Sequence, residues 1–111
     1  MRAKAIGMAE QLRQFIYFLR PKRLEMLTEG ATAEEARVQT EHGNYLQGLA
    51  AQGVVTLAGR TSNNDETTVG IVILSARDEV AAQEIIALDP FVKSSLMTAT
   101  LFPFRVAYKA E

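Results

Sequence analysis

The sequence predicts an α+β fold in which strands and helices follow one another in the order β-α-β-β-α-β. Two segments repeat apolar residues with helical spacing, and four short segments are rich in β-branched and aromatic residues. A run of polar, turn-forming residues between the second and third strands indicates a hairpin. This order predicts a four-stranded antiparallel sheet that carries both helices on one face.

The first strand and the first helix have clear sequence signals. Residues 15–19 are aromatic and β-branched, which is typical of a buried strand. Thr32 and Glu35 have the spacing of a capping box, and a long helical pattern follows them. Gly53 comes just after that pattern, where glycine readily adopts the left-handed backbone that ends a helix. We therefore predict the first helix over residues 33–52.

The next two strands are predicted over residues 54–59 and 67–74. Both segments are apolar and partly β-branched, and they are separated by the polar residues 62–66. Asn, Asp and Ser favour turns because their side chains bond to nearby backbone groups. The segment from 54 to 74 therefore predicts an antiparallel hairpin.

The second helix is predicted over residues 75–88, and the last strand over residues 97–108. Asp89 marks the exit from the helix, because Pro90 disfavours helical dihedrals in the residue before it. Residues 1–13 are rich in polar residues and alanine, and we assign them to an N-terminal arm. The remaining residues, 14–111, form a single predicted domain, because 111 residues are too few for two.

Composition excludes several classes of function. The formal net charge is −1, so no overall field favours a nucleic acid or an anionic membrane as partner. The chain has no cysteine, which excludes disulfides, thiolate catalysis and cysteine-ligated metals. A single histidine makes a zinc site within one subunit improbable, and we expect no metal or other cofactor. No apolar run is long enough to span a membrane as a helix, so we expect a cytoplasmic protein.

The predicted sheet has a second face that no helix covers. Apolar side chains at Ile16, Phe18, Val72 and Leu101 are available to fill both faces. An uncovered apolar face is unstable in water, and chains of this type commonly bury it by stacking two sheets. We therefore expect a homodimer or a larger homo-oligomer.

The histidine, His42, lies on the apolar face of the first predicted helix. Tyr45, Leu46 and Leu49 share that face, so the imidazole is expected to point into the protein, where it needs a hydrogen-bond partner. Asp89 is the candidate partner. A carboxylate that accepts a hydrogen bond from one ring nitrogen fixes the tautomer and leaves the other nitrogen to move a proton.

Four segments of the chain form recognisable motifs: Glu41-His42-Gly43-Asn44-Tyr45-Leu46 with Leu49 and Gly53, Ala58-Gly59-Arg60, Asp89-Pro90-Phe91-Val92 and Pro103-Phe104. Together they resemble the YciI-like (YCII-related) family over roughly residues 14–107. The resemblance implies a ferredoxin-like fold of the dimeric α+β barrel superfamily, whose relatives include muconolactone isomerase and cofactor-free monooxygenases. It also implies an active-site His and Asp pair at His42 and Asp89, and a chlorinated-hydroquinone dehydrochlorinase is similar to this family.

Five further residues are candidates for substrate binding. Arg20 closes the first strand and could hold a carboxylate with two hydrogen bonds. Arg37 and Tyr45 lie on the helix of His42, and Tyr45 could orient a hydroxyl or a ring. Arg60 stands where similar sequences often carry proline, and it could place a cation at the mouth of a cleft. Ser95 stands where they often carry glycine, and it could add a polar patch.

Two functions from different classes remain open. The first is a small cofactor-free enzyme with His42 as acid and base and Asp89 as its orienting partner. It would isomerise, eliminate from or dehalogenate a small cyclic or carboxylated metabolite. The second is a non-catalytic dimeric domain that binds a small ligand or a protein partner. Simpler structural interpretations also stand: His42 bonded to a backbone carbonyl, Asp89 bonded to backbone amides at a helix end, and Tyr45 as a core residue.

Overall fold

The computed structural model describes residues 12–111, which form four strands and four helices. The predicted order of strands and longer helices is confirmed, with two short helices added. The predicted arm lies outside the described residues except for its last two, and Arg13 already belongs to the first strand. The elements are β1 Arg13–Pro21, α1 Glu25–Thr28, α2 Ala33–Ala51, β2 Val55–Arg60, β3 Gly70–Ala76, α3 Glu79–Ala87, α4 Pro90–Lys93 and β4 Met97–Phe104.

The four strands form one antiparallel sheet in the order β2-β3-β1-β4. The predicted hairpin is present, since β2 pairs with β3. One row of facing residues across the sheet contains Ala58, Val72, Tyr17 and Leu101. Alternate residues of β1 are buried, as expected for a strand with one face in the core. Their core partners come from the helices, which places α2, α3 and α4 on this inner face.

Helix α2 begins and ends as the sequence predicts. The Thr32 hydroxyl accepts a hydrogen bond from the Glu35 backbone N–H at 3.1 Å, and the Glu35 carboxylate accepts one from the Thr32 N–H at 2.8 Å. Gly53 has a φ of +78°, the left-handed backbone expected after the last turn. The capping box therefore fixes the turn of α2 that precedes Val38 and His42.

The carboxylate of Glu35 also anchors the loop that carries α1. Glu35 is 4% exposed, and it accepts hydrogen bonds from Nε and Nη2 of Arg23 at 2.8 and 2.7 Å. The Arg23 guanidinium and the Thr32 N–H together lower the pKa of Glu35 to about 2. This ion pair joins Arg23, two residues before α1, to the first turn of α2.

Both short helices lie in segments where the sequence predicts neither a helix nor a strand. Pro90 ends the helical pattern before it, but it also begins α4, because the first position of a helix needs no N–H donor. Asp89 is the N-cap of α4 and accepts a hydrogen bond from the Phe91 N–H. A helix of one turn such as α1 or α4 is too short to show a periodic pattern.

Three predicted boundaries are wrong. The third strand spans Gly70–Ala76 instead of 67–74, because the Thr67 side chain and backbone bond to Asp65 within the loop. The second helix begins at Glu79 instead of 75, because Asp78 is its N-cap and accepts from the Ala81 N–H. The last strand ends at Phe104 instead of 108, where its pairing with β1 stops at Gln14.

A bulge interrupts the pairing of β2 with β3. Val55 faces Leu74 and Leu57 faces Ile73, so two steps along β2 match one step along β3. Thr56 is the extra residue. After the bulge, Ala58 and Arg60 face the inner side of the sheet, as Val55 does. Leu57 faces the outer side.

The outer face of the sheet is apolar and no described element covers it. Leu57, Ile73, Ile16 and Phe102 face one another in a row across all four strands. The rings of Phe18 and Phe102 meet edge to face, with centroids 6.0 Å apart. Of the residues expected to fill both faces, Ile16 and Phe18 are on this one, whereas Val72 and Leu101 pack in the helix-covered core. No helix within residues 12–111 is long and apolar enough to cross a membrane.

Candidate active site

A cavity of about 420 Å³ opens between α2 and the inner face of the sheet. One side is the stripe of α2 that contains Gln39, His42, Gly43 and Leu46. Strands β1, β2 and β3 form the other side, and residues of α1, α4 and the loop before β3 complete the walls. The volume is within the range of small-molecule sites in proteins.

His42 and Asp89 meet beside this cavity. Nδ1 of His42 lies 2.8 Å from Oδ1 of Asp89, across 47 positions of the chain. The side chain of His42 is 17% exposed, whereas that of Asp89 is fully buried. The Phe91 ring packs against the imidazole, with centroids 4.5 Å apart. The imidazole is therefore held between a buried carboxylate and an aromatic ring, and it borders the cavity.

The buried carboxylate of Asp89 accepts three hydrogen bonds. Besides His42, the Tyr17 hydroxyl donates to Oδ2 at 2.8 Å and the Phe91 backbone N–H donates to Oδ1 at 3.0 Å. Three donors compensate for the lost hydration of this charge, which would otherwise cost on the order of several kcal/mol. Among the described residues, no buried side-chain nitrogen or oxygen lacks a hydrogen-bond partner.

The hydrogen bonds to Asp89 determine which imidazole nitrogen can take a proton from a ligand. Burial, and then the charge of Asp89, raise the pKa of the Tyr17 phenol, so Tyr17 stays protonated and donates. Because the carboxylate accepts every hydrogen bond it makes, Nδ1 of His42 carries a proton. In the neutral ring Nε2 is then an unprotonated nitrogen, able to take a proton from a ligand.

Tyr17 is the residue of this network that the sequence analysis missed. In the sequence it is one aromatic residue of a buried strand, with the same spacing as Phe15 and Leu19. One signal was available: a buried hydroxyl needs a hydrogen-bond partner, and tyrosine on the inner face of a central strand has few backbone groups to bond.

The other predicted residues of α2 do not line the cavity. The Tyr45 hydroxyl donates to the Ile85 carbonyl at 2.6 Å and so joins α2 to α3. Burial, and then the charge of Asp89, raise the pKa of this phenol as well. Arg37 pairs with Glu41 at 3.0 Å, with 61% of its side chain exposed. Tyr45 therefore supports the packing of α2, and Arg37 lies on the surface.

Of the remaining candidates, only Arg60 borders the cavity. Its guanidinium donates to the carbonyls of Thr61 and Asn63 and to the side chain of Asn64, so it also orders the loop before β3. Nη1 of Arg20 bonds the Thr68 carbonyl at 3.4 Å, and Arg20 does not line the cavity. Ser95 lies between α4 and β4 with a φ of +64°, also outside the cavity walls.

Other cavity residues could not be read from the sequence. Asn64 and Thr68 come from the loop before β3, and Met26 and Leu27 come from α1. Neither segment was predicted to approach the helix of His42. Within residues 12–111, no group of three or more His, Asp or Glu side chains is placed to hold a metal ion.

Comparisons with solved structures show related folds. One is 5-chloro-2-hydroxyhydroquinone dehydrochlorinase (TftG) from Burkholderia phenoliruptrix AC1100, in complex with 2,5-dihydroxybenzoquinone. It matches with a TM-score of 0.59 and 18% sequence identity, over 82% of this chain and 93% of that one. Another is the uncharacterized protein TM1266 from Thermotoga maritima, with a TM-score of 0.53 and 10% identity, over 85% of this chain and 99% of that one.

The sequence itself identifies the family. No curated protein matches the chain at a significant level. The model of the YCII-related domain matches residues 19–105, a span that includes β1 from Leu19, the whole helix α2 and β4. The resemblance found in the sequence motifs is thus confirmed, and this chain belongs to the family of YCII-related domain proteins.

Proposed function

We propose that this protein is a small enzyme in which His42 acts as general acid and base and Asp89 holds its ring. One observation carries the proposal: the carboxylate of Asp89 is fully buried and accepts hydrogen bonds from Tyr17, the Phe91 N–H and His42. A histidine needed only for packing would not require a buried charge with two other donors. This arrangement matches a general base, because the carboxylate fixes the tautomer and the orientation of the ring.

The chemistry that suits the pair is proton transfer at a carbon next to a carbonyl group. Nε2 of His42 takes the proton, and the released electron pair forms a double bond in the substrate. In an isomerisation the imidazolium returns the proton to another atom. In an elimination or dehalogenation a halide or hydroxide leaves with its bonding pair, and the imidazolium passes its proton to solvent. A positioned base of this kind contributes rate factors of about 10²–10⁴.

The cavity supports a small cyclic or carboxylated substrate. Its walls include the apolar side chains of Leu19, Leu46 and Met97, and its volume of about 420 Å³ suits a single ring with a few substituents. Arg60 brings a positive charge to the wall, which favours an anionic group. The structural relative with bound 2,5-dihydroxybenzoquinone suggests hydroxylated ring compounds as first substrates to try.

We further propose that the protein is a homodimer formed through the outer face of its sheet. Leu57 and Phe102 are 61% and 48% exposed on that face, and they lie in the same apolar row as Ile16 and Ile73. Stacking two such faces would remove these side chains from water, as in other packed sheets. The cavity lies on the helix-covered face of the sheet, so the cavities of both subunits would remain accessible in the dimer.

The proposed activity is tested with wild type and His42→Gln on 5-chloro-2-hydroxyhydroquinone and muconolactone. Chloride release and loss of the lactone are followed against a protein-free blank. We expect turnover of one of these compounds by the wild type and a loss of about 10²-fold or more in His42→Gln. Gln47→Ala is the control, because Gln47 is an exposed residue of the same helix that does not line the cavity. Turnover that is equal in wild type and His42→Gln would contradict the proposal and favour the non-catalytic alternative.

A further inference from the structure

Helix α2 contains two glycines in its interior, Gly43 and Gly48. A Cβ atom built on either of them would meet no atom within 4 Å. Glycine destabilises the interior of a helix relative to alanine, because it loses more backbone freedom on folding. Packing within the chain therefore requires glycine at neither position.

The two positions differ in one respect. Gly43 borders the cavity next to His42, on the stripe where Gln39 and Leu46 lie four positions before it and three after it. Gly48 does not line the cavity. Of the other two cavity glycines, Gly59 lies in β2 and also has open space, whereas Gly70 gives a useful contrast, since a Cβ there would lie 3.3 Å from the Cβ of Leu19. The packing of β1 against β3 accounts for Gly70, but no contact among residues 12–111 accounts for a glycine at position 43 in a helix.

We propose that Gly43 determines specificity in this cavity by leaving space for a planar ring beside the imidazole of His42. The inference rests on the proposed function, because it assigns the substrate class of the same site. Phe91 supplies a flat aromatic surface on one side of His42, and Gly43 supplies helix backbone without a side chain next to it. A planar hydroxylated ring can lie flat against the helix backbone that this glycine leaves uncovered.

Two pairs of matched variants test this role: Gly43→Ala and Gly43→Leu against Gly48→Ala and Gly48→Leu. The probe is 2,5-dihydroxybenzoquinone, with adipate as a flexible, acyclic dianion for comparison. Binding is measured by calorimetry, and the melting temperature is measured for each variant. We expect both alanine variants to melt at or above the temperature of the wild type.

For binding, we expect Gly43→Ala to raise the Kd for the quinone by about tenfold, since an added methyl group overfills a fitted site. Gly43→Leu is expected to abolish binding, and both Gly48 variants are expected to bind within about twofold of wild type. Adipate is expected to bind more weakly than the quinone in wild type and in both Gly48 variants. Quinone binding that Gly43→Ala and Gly43→Leu leave unchanged would overturn the proposal.

Two further results would also overturn it: Gly43→Ala melting well below Gly48→Ala, and wild type binding adipate better than the quinone. These failures are distinct from failure of the proposed function. If His42→Gln abolishes turnover of another substrate while the quinone does not bind, the ring class is wrong and the acid–base role stands. If the quinone binds in a Gly43-dependent way but His42→Gln never affects turnover, the acid–base role is wrong and the specificity role of Gly43 stands.

Discussion

The hydroxyl of Tyr17 and Oδ2 of Asp89 lie 2.8 Å apart, across 72 positions of the chain. Tyr17 is in the central strand β1, and Asp89 is the N-cap of α4. Each is fully buried, so the hydrogen bond is shielded from water and from salt. The strand thereby holds Oδ2, the carboxylate oxygen that does not contact His42. Through Asp89, the sheet also fixes the position of the imidazole.

Replacing Tyr17 by phenylalanine removes one of the three donors to Asp89 and leaves the ring in the core. We expect the free energy of unfolding to fall by about 1–3 kcal/mol, because a buried charge loses a hydrogen bond. We also expect kcat/KM to fall by about tenfold, because the carboxylate that holds His42 is less firmly placed. Chemical denaturation and steady-state kinetics measure the two effects.

The control for this change is Tyr45→Phe. It removes a tyrosine hydrogen bond from the same core, but the acceptor is the Ile85 carbonyl instead of Asp89. We expect a similar loss of stability, about 1 kcal/mol, with kcat/KM within about twofold of wild type. Equal kinetic effects of both variants would show that Tyr17 has no positioning role.

Replacing Asp89 by asparagine should disturb the tautomer of His42. An amide offers one oxygen in place of two, so its nitrogen must face a donor, either the Tyr17 hydroxyl or the N–H groups of His42 and Phe91. In wild type we expect the ¹⁵N spectrum of the ring to show a protonated Nδ1 and an unprotonated Nε2 at neutral to alkaline pH. In Asp89→Asn we expect a mixture of tautomers.

Asp78→Asn is the matched control, because Asp78 is also an N-cap aspartate that accepts a backbone N–H, here that of Ala81. Asparagine caps helices about as well as aspartate, so little stability should be lost there. An unchanged His42 spectrum in Asp89→Asn would show that the carboxylate does not set the tautomer.

The Arg23–Glu35 pair should make stability depend on pH in the acid range. Its carboxyl pKa is about 2 in the folded protein, below the ordinary value of 4.5. The stability it contributes is therefore complete above about 4.5 and is lost as the pH falls through about 2. We expect wild type to exceed Glu35→Gln in melting temperature at neutral pH, and the difference to shrink on acidification.

Glu34→Gln serves as the control for that series, since Glu34 is an exposed residue of the same first turn. Its melting temperature should remain close to that of wild type at every pH. A difference between wild type and Glu35→Gln that persists undiminished in acid would argue against the ion pair as its cause.

The proposed dimer is tested by placing a charge on the outer face of the sheet. Phe102→Asp alters a residue that is 48% exposed in the single chain, so the fold should tolerate it. We expect sedimentation to show a dimer for wild type and a dissociation constant raised by about 30-fold or more, since a central aromatic contact is worth about 2 kcal/mol or more. Val80→Asp, at a 67% exposed position on α3, should leave association unchanged. A monomeric wild type would rule out this interface.

The sequence was most informative where signals are local and periodic. The capping box at Thr32 and the glycine at position 53 defined α2, and alternation identified β1. The approach of His42 to Asp89 was inferred because a histidine in an apolar stripe needs a partner, and the family resemblance supplied the same pair. The loop before β3 was not predicted well. Its turn is held by hydrogen bonds to Asp65 from residues of the same loop, and such bonds leave no periodic pattern in the sequence.

Other parts of the site depend on distant contacts that no single segment reveals. Tyr17 was missed because its acceptor comes from another element, 72 positions away. Arg20 was assigned to the site because it closes the first strand, and Arg37 because it lies on the helix of His42, yet their partners are the Thr68 carbonyl and Glu41. Basic side chains are long, so sequence spacing does not determine where their charged ends lie.

The bulge at Thr56 determines which side chains of β2 the cavity wall offers. With Thr56 present but no bulge, simple alternation from Val55 would turn Leu57 and Gly59 inward and send Ala58 and Arg60 to the outer face. The bulge therefore places a guanidinium at the cavity and an exposed leucine on the opposite surface at the same time. The composition of the cavity wall and that of the outer face are linked through the parity of one strand, so deletion of Thr56, which removes the bulge but keeps the facing of the residues after it, should leave both unchanged.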